Sequence, residues 1–530
     1  MSGLSTTRRA ALAGGLAAGG LTGLGGAAFA APPKGFDGFV REVMATFDQP
    51  GLAIAIVEDG RSVLAKGYGV RRLAAPEPVD EATLFGIASN TKAFTAAALA
   101  ILVDEGRLRW DDPVIDHLPQ FRMWDPYVTR EMTVRDLLVH RSGLGLGAGD
   151  LLFWPGTTYT RSEIVQRLRH IRPATSFRTR YAYDNVLYTV AGEVIGAVSG
   201  KPWEVFVSER LLKPLGMTGA FPTDSWATAA ANRATPHARL GGVVRGLGAM
   251  TPLAYQLSSD NHAPGGGVLS GARDIAAWLK VQLARGALPD GRRLWSEAQT
   301  AQMWRGQTII RATGVPDDDP EQASFVTYAL GWNLQQHRGH TYLWHSGGIA
   351  GQSSITVLIP SRNAGFAVLA NAEEGMVLRT LKNTLLDHYL GLPRFDWLAD
   401  ARKINVGMQA EMAKGGTRQA TRPADAGPPS LPLARYAGTY RDAWYGDVVI
   451  ARAGDGLTID FTRSPALKGA LEPWSHDTFR TRFTDRSQED AFVTFALNPD
   501  GSIDQARLQA ISPMADFSYD YQDLLLKPVA

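Results

Sequence analysis

An α/β domain with a helical insertion, followed by a small antiparallel β-barrel, is the fold class the 530-residue sequence predicts. Three observations carry it. Strand-like runs stand near both ends of residues 37–400, helical segments fill the stretch between them, and short alternating runs take over from residue 432.

The elements follow in order. Ser5-Thr-Thr-Arg8-Arg9 precedes an uncharged Gly/Ala-rich run that ends Ala28-Phe-Ala30. Residues 1–30 therefore read as an export signal of the twin-arginine type, cleaved to leave a periplasmic or secreted protein. No later stretch is long and apolar enough to span a membrane. Gly51–Val57, Glu58-Asp-Gly60 and Arg61–Tyr68 read as a β-hairpin around an Asp-Gly turn. Asn90–Glu105 is apolar nearly all round and stops at Gly106, which predicts a buried helix. Most segments from about Asp112 to Trp304 read as helices joined by Pro/Gly turns. Strand-like runs follow at 341–344, 353–359 and 365–369, with His345 expected just after the first. Residues 401–431 are polar, with Gly415-Gly416 and Pro428-Pro429, and read as a linker. Beyond them, runs at 448–450, 457–461, 479–483, 491–497 and 503–510 predict the barrel, with Asn498-Pro-Asp-Gly501 as a turn.

Composition narrows the function. At 45% hydrophobic and 20% charged, the chain is ordinary globular material. Its 54 basic and 52 acidic residues nearly cancel, which argues against a nucleic-acid partner. There is no cysteine, so thiolate chemistry and disulfides are excluded. The ten histidines lack paired-ligand spacing, and neither a metal nor a cofactor is expected. Only 11 residues are lysine, so a lysine-dependent motif is less often accidental here.

Three motifs carry chemistry. Ser89-Asn-Thr-Lys92 opens the buried helix, and positions i and i+3 share a face. A buried lysine has a lowered pKa and, when neutral, can take the serine proton. In Tyr183-Asp-Asn185 the phenol can join the proton transfer if Lys92 lies beside it, and the amide can bind a substrate carbonyl. In His345-Ser-Gly347-Gly348 a strand with small residues lies close to a nucleophile and can pair with a substrate. The N–H groups of Ser89 and Gly348 are candidates for an oxyanion hole. Ser142 is read as structural.

Taken together, in this order and 94 and 162 residues apart, the motifs resemble those of serine hydrolases with the penicillin-recognising fold. These are class C β-lactamases, D-alanyl-D-alanine carboxypeptidases and related esterases and D-aminopeptidases. Gly67-Tyr-Gly69, Leu108-Arg-Trp-Asp-Asp-Pro113, Thr133–Leu144, Pro214-Leu-Gly-Met217 and Gly265-Gly-Gly-Val-Leu-Ser270 share the resemblance, which covers residues 37–395. It implies an antiparallel sheet flanked by helices (β-lactamase/transpeptidase-like). It also implies a Ser89 nucleophile that forms an acyl-enzyme, with Lys92 and Tyr183 moving its proton and Asn185, His345 and Gly347 meeting the substrate. Tyr436-Ala-Gly-Thr-Tyr440 onward resembles the lipocalin-like domain that one branch appends, a surface for oligomerisation.

One departure counts. Class C β-lactamases carry Lys-Thr-Gly where this chain has His345-Ser-Gly347. A mostly neutral histidine is a poorer carboxylate anchor, so the expected substrate is a D-amino-acid-containing peptide, ahead of an ester and then a β-lactam. The rival expectation is a penicillin-binding sensor or scaffold without turnover, which an intact Ser89, Lys92 and Tyr183 disfavours.

Overall fold

The computed structural model describes residues 32–254, 260–312, 314–315 and 319–529. The expected leader lies outside them. Strands β1 (Gly51–Glu58) and β2 (Arg61–Gly69) form the hairpin. Asp59 and Gly60 take φ of 47° and 72°, the left-handed pair that a two-residue turn requires. Later in the domain come β3 (Thr308–Arg311), β4 (Val326–Tyr328), β5 (Asn333–His337), β6 (His340–Ile349), β7 (Gln352–Ile359) and β8 (Ala364–Ala370). All eight form one antiparallel sheet in the order β2-β1-β8-β7-β6-β5-β4-β3. Strands from the first and last parts of the domain thus pair side by side, second and third from one edge of the sheet, with Leu52 opposite Ala370 and Glu58 opposite Ala364.

Six helices are needed to follow the site: α1 (Phe36–Thr46), α2 (Thr91–Asp104), α3 (Val186–Ser199), α4 (Ala272–Leu283), α5 (Gly375–Leu390) and α6 (Trp397–Ala420). Period-two alternation sorts β1 between two layers. Leu52, Ile54 and Ile56 pack with Val43 of α1 and Leu385 of α5. Ala53, Ala55 and Val57 face the other way, into the core that holds Leu279 of α4 and Phe94 of α2. As an apolar helix predicts, α2 is buried from Thr91 to Leu102.

Three expectations change. The His345 motif lies inside β6, because Gly347 and Gly348 stay in register with Ser354 and Ser353 of β7. The edge strands β3–β5 are not among the expected runs: β3 and β4 are only 4 and 3 residues long, and β5 reads Asn-Leu-Gln-Gln-His. Residues 403–430 are not an irregular linker throughout, since α6 runs through their first part to Ala420.

Eight strands, from Gly438–Asp442 to Leu525–Pro528, close into an antiparallel barrel. The last pairs with the first, Tyr440 opposite Pro528. Buried Tyr436, Phe461, Phe479, Phe483 and Phe495 fill it. The barrel docks on the first domain. Arg167 donates to the Trp444 carbonyl at 2.7 Å, and Arg463 pairs with Glu163 at 2.6 Å.

Candidate active site

Ser89 stands in a 3₁₀ turn, Ala88–Asn90, that runs straight into α2. Ala88 before it has φ of 48°, a left-handed conformation that costs an alanine roughly 1 kcal/mol or more. The surroundings hold it there. Ser354 donates to the Ile87 carbonyl at 2.8 Å, and Asn90 donates to the Ser354 hydroxyl at 2.8 Å. Strand β6 presses on the same turn, since a Cβ on Gly347 would lie 2.2 Å from the Ile87 oxygen. The missing side chain of Gly347 is therefore a packing requirement. Gly348 has open space beside it and lines a cavity of about 530 Å³ together with Ser89 and Asn185.

Lys92 follows one turn into the helix, with no exposed surface. Its Nζ is 2.9 Å from Ser89 Oγ, 2.8 Å from Asn185 Oδ1 and 3.0 Å from the Gly265 carbonyl. Burial pushes its pKa down to about 7, against the opposing pull of Asp150 and Asp184. A neutral amine has two N–H donors and one lone pair. The two carbonyl oxygens can only accept, so they take both donors and leave the lone pair for the serine hydroxyl. The triple glycine of the sequence thus supplies a partner for the lysine through its first carbonyl.

Tyr183 is half-buried and hydrogen-bonds Ser89, and desolvation of its phenol raises its pKa well above that of a free phenol. Lys92 Nζ lies 4.9 Å from the centre of its ring. Of the two groups, the lysine is the one placed and poised to accept a proton. Asn185 at the head of α3 joins them, its amide donating to Asp150 Oδ2 at 2.8 Å.

His345 is another correction. It is 3% exposed, with Nδ1 2.6 Å from the Ser346 carbonyl and Nε2 2.8 Å from the Tyr328 hydroxyl. Nδ1–H donates, Nε2 accepts, and burial lowers the pKa to about 3. It stands neutral behind Tyr183, ring centres 6.3 Å apart, with both nitrogens turned to protein rather than to a substrate.

Sequence reasoning missed the part of His140, whereas Ser142 was read as structural. His140, buried with φ of 55°, packs against the Tyr183 ring, 4.2 Å between centres and tilted by 37°. Ser142 donates to Asp184 at 2.6 Å, which fixes the loop that carries Tyr183. It also missed the barrel's part. Ser518 donates to Asp150 Oδ2 at 2.8 Å. Asp520 accepts from the N–H groups of Gly149 and Leu151 at 2.7 and 3.1 Å. Phe517 lies edge-on to Tyr183, 5.9 Å between centres. Burial pushes Asp150 up to about 8. A polar chain thus runs from the barrel through Ser518, Asp150 and Asn185 to Lys92.

Comparison with known proteins places the chain in a family. The chain is 29% identical over 495 residues to "Unguisins hydrolase ungD'" of Aspergillus campestris, covering 88% of this chain and 87% of that one. It is 28% identical over 345 residues to "Protein flp" of Staphylococcus aureus, covering 63% and 62%. In fold it is similar to the octameric penicillin-binding protein homologue from Pyrococcus abyssi (TM-score 0.56, 22% identity, 93% of this chain and 99% of that one). It is likewise similar to SurE (TM-score 0.54, 20% identity, 94% and 98%). Residues 422–528 match a domain of unknown function, DUF3471. Residues 36–390 match the Beta-lactamase family model, which spans more than half of the sequence, and the chain belongs to that family.

Proposed function

We propose that the protein is a serine hydrolase that forms an acyl-enzyme on Ser89 and cleaves amide or ester bonds, foremost in D-amino-acid-containing peptides. One observation carries the reading: a fully buried lysine whose Nζ lies 2.9 Å from a serine hydroxyl. Lys92 takes the Ser89 proton as Oγ attacks the substrate carbonyl. The N–H groups of Ser89 and Gly348 receive the oxyanion. Tyr183, bonded to Ser89, passes a proton to the leaving group and takes one back from Lys92. Water then adds to the acyl-enzyme and gives up a proton to the same pair, which returns one to Ser89 Oγ as the acyl product leaves. The peptide preference rests on the histidine form of the third motif, and the neutral, enclosed His345 supports weak β-lactam hydrolysis at most.

A fluorophosphonate probe followed by peptide mapping tests the nucleophile. The adduct is expected on the peptide that contains Ser89, and labelling that survives Ser89→Ala refutes the assignment. Turnover of D-aminoacyl peptides, p-nitrophenyl esters and nitrocefin then ranks the substrates. Labelling without turnover of any of them identifies a penicillin-binding sensor or scaffold instead.

A further inference from the structure

Five of the chain's 11 methionines line the cavity in front of Ser89. Met250 comes from a short hairpin, Met376 from the start of α5, Met408 and Met412 from α6, and Met514 from the barrel. They belong to four separate parts of the chain and converge only here. The cavity has 34 lining residues, among which a random draw from this composition would place fewer than one methionine. Met408 and Met514 are 39% and 48% exposed, apolar surface left facing open space. Methionine side chains are flexible and polarisable, so a wall made of them adapts to large apolar groups.

The charges on the same wall point the same way. Arg239 and Arg245 are the arginines in it, and both are engaged. Arg239 meets Glu374 at 2.6 Å and Asp48 at 3.0 Å, and Arg245 meets Glu373 at 2.5 Å. Glu489 and Asp516 add further acids. Among the described residues of the wall, no unpaired cation waits for a carboxylate.

We propose that the methionine wall binds a bulky apolar side chain next to the scissile bond, and that the substrate carries no free carboxylate in this cavity. The proposal rests on the serine-hydrolase reading above. It deepens that reading toward apolar, internally cleaved or terminally blocked peptides and esters, and away from release of a single C-terminal residue.

Two substrate series test it on the full-length protein. One lengthens the acyl chain of p-nitrophenyl esters from acetyl to octanoyl. The other enlarges the leaving residue of blocked D-alanyl amides from alanine to leucine to phenylalanine. In at least one series kcat/KM should rise about tenfold or more, the usual return from filling an apolar pocket. A glutaryl ester should fall at least tenfold below the pentanoyl ester of equal length. Met408→Ala combined with Met514→Ala removes the two exposed side chains, where folding is least at stake, and should cut the large-to-small ratio severalfold. Two flat series, or a glutaryl ester as good as the pentanoyl one, overturn the proposal. Fluorophosphonate labelling of the same samples separates the two levels. Labelled protein with flat series refutes only the methionine wall, whereas unlabelled wild type refutes the Ser89 reading beneath it.

Discussion

Lys92 decides the chemistry at the scale of single residues. An exposed lysine is protonated at neutral pH and useless as a base. Burial lowers the pKa of this one to about 7, where roughly half the molecules hold a free lone pair. The lysine is protonated below that value and neutral above it. As proposed base, it makes kcat/KM rise with pH through about 7 and then level off, and a profile that falls over this range contradicts the role. Tyr183 is bonded to the same hydroxyl and belongs to the same unit. Lys92→Ala and Tyr183→Phe should each lower kcat by roughly 10²-fold or more. The double variant should be little worse than either, because groups that act as a unit are not additive. Additive losses in log kcat would separate them.

Close approach of backbones builds the site at the scale of elements. Strand β6 can lie against the turn that holds Ser89 only because residue 347 has no side chain. Gly331 does the same on the other side of the helix start, where a Cβ would meet the Lys92 backbone at 2.8 Å. In Gly347→Ala the new methyl group meets a carbonyl oxygen at 2.2 Å, and either β6 or the Ser89 turn must move. A destabilisation of about 1–3 kcal/mol is expected, with loss of fluorophosphonate labelling. Gly348→Ala has open space and should keep the wild-type Tm within a degree or two. Thermal denaturation of the pair checks this, and equal Tm values would show that β6 does not press on the turn.

The barrel is part of the site at the scale of the whole molecule. Ser518, Phe517 and Asp520 reach into the first domain, and Asp150 links the first of them to Asn185 and Lys92. The bond from Ser518 lowers the pKa of Asp150, and a charged Asp150 raises that of Lys92. In Ser518→Ala, Asp150 holds its proton more tightly, and less negative charge faces the lysine. The Lys92 pKa therefore falls, and the acid limb of the pH profile moves to lower pH. The lost bond also costs about 1 kcal/mol of stability. The pH dependence of kcat/KM checks the sign. A limb that stays put or moves up would show that the barrel is not electrostatically coupled to the site.

What the sequence alone determined are features fixed by local geometry. The Ser89/Lys92 pair is legible because a helix places i and i+3 on one face. The burial of α2 follows from its lack of a polar face, the hairpin from Asp59-Gly60, and most barrel strands from period-two alternation. What only the tertiary structure decided depends on contacts between distant segments. The edge strands β3–β5 are held by their neighbours in the sheet rather than by their own pattern. His345 reads as a substrate contact until Tyr328 and the Ser346 carbonyl occupy its nitrogens. Asp150 and Ser518 are 368 residues apart, and neither sits in a motif. The methionine wall is gathered from the hairpin, α5, α6 and the barrel. Motif spacing records only what neighbours along the chain impose, whereas burial, lysine basicity and cavity shape come from whatever the fold packs around each residue.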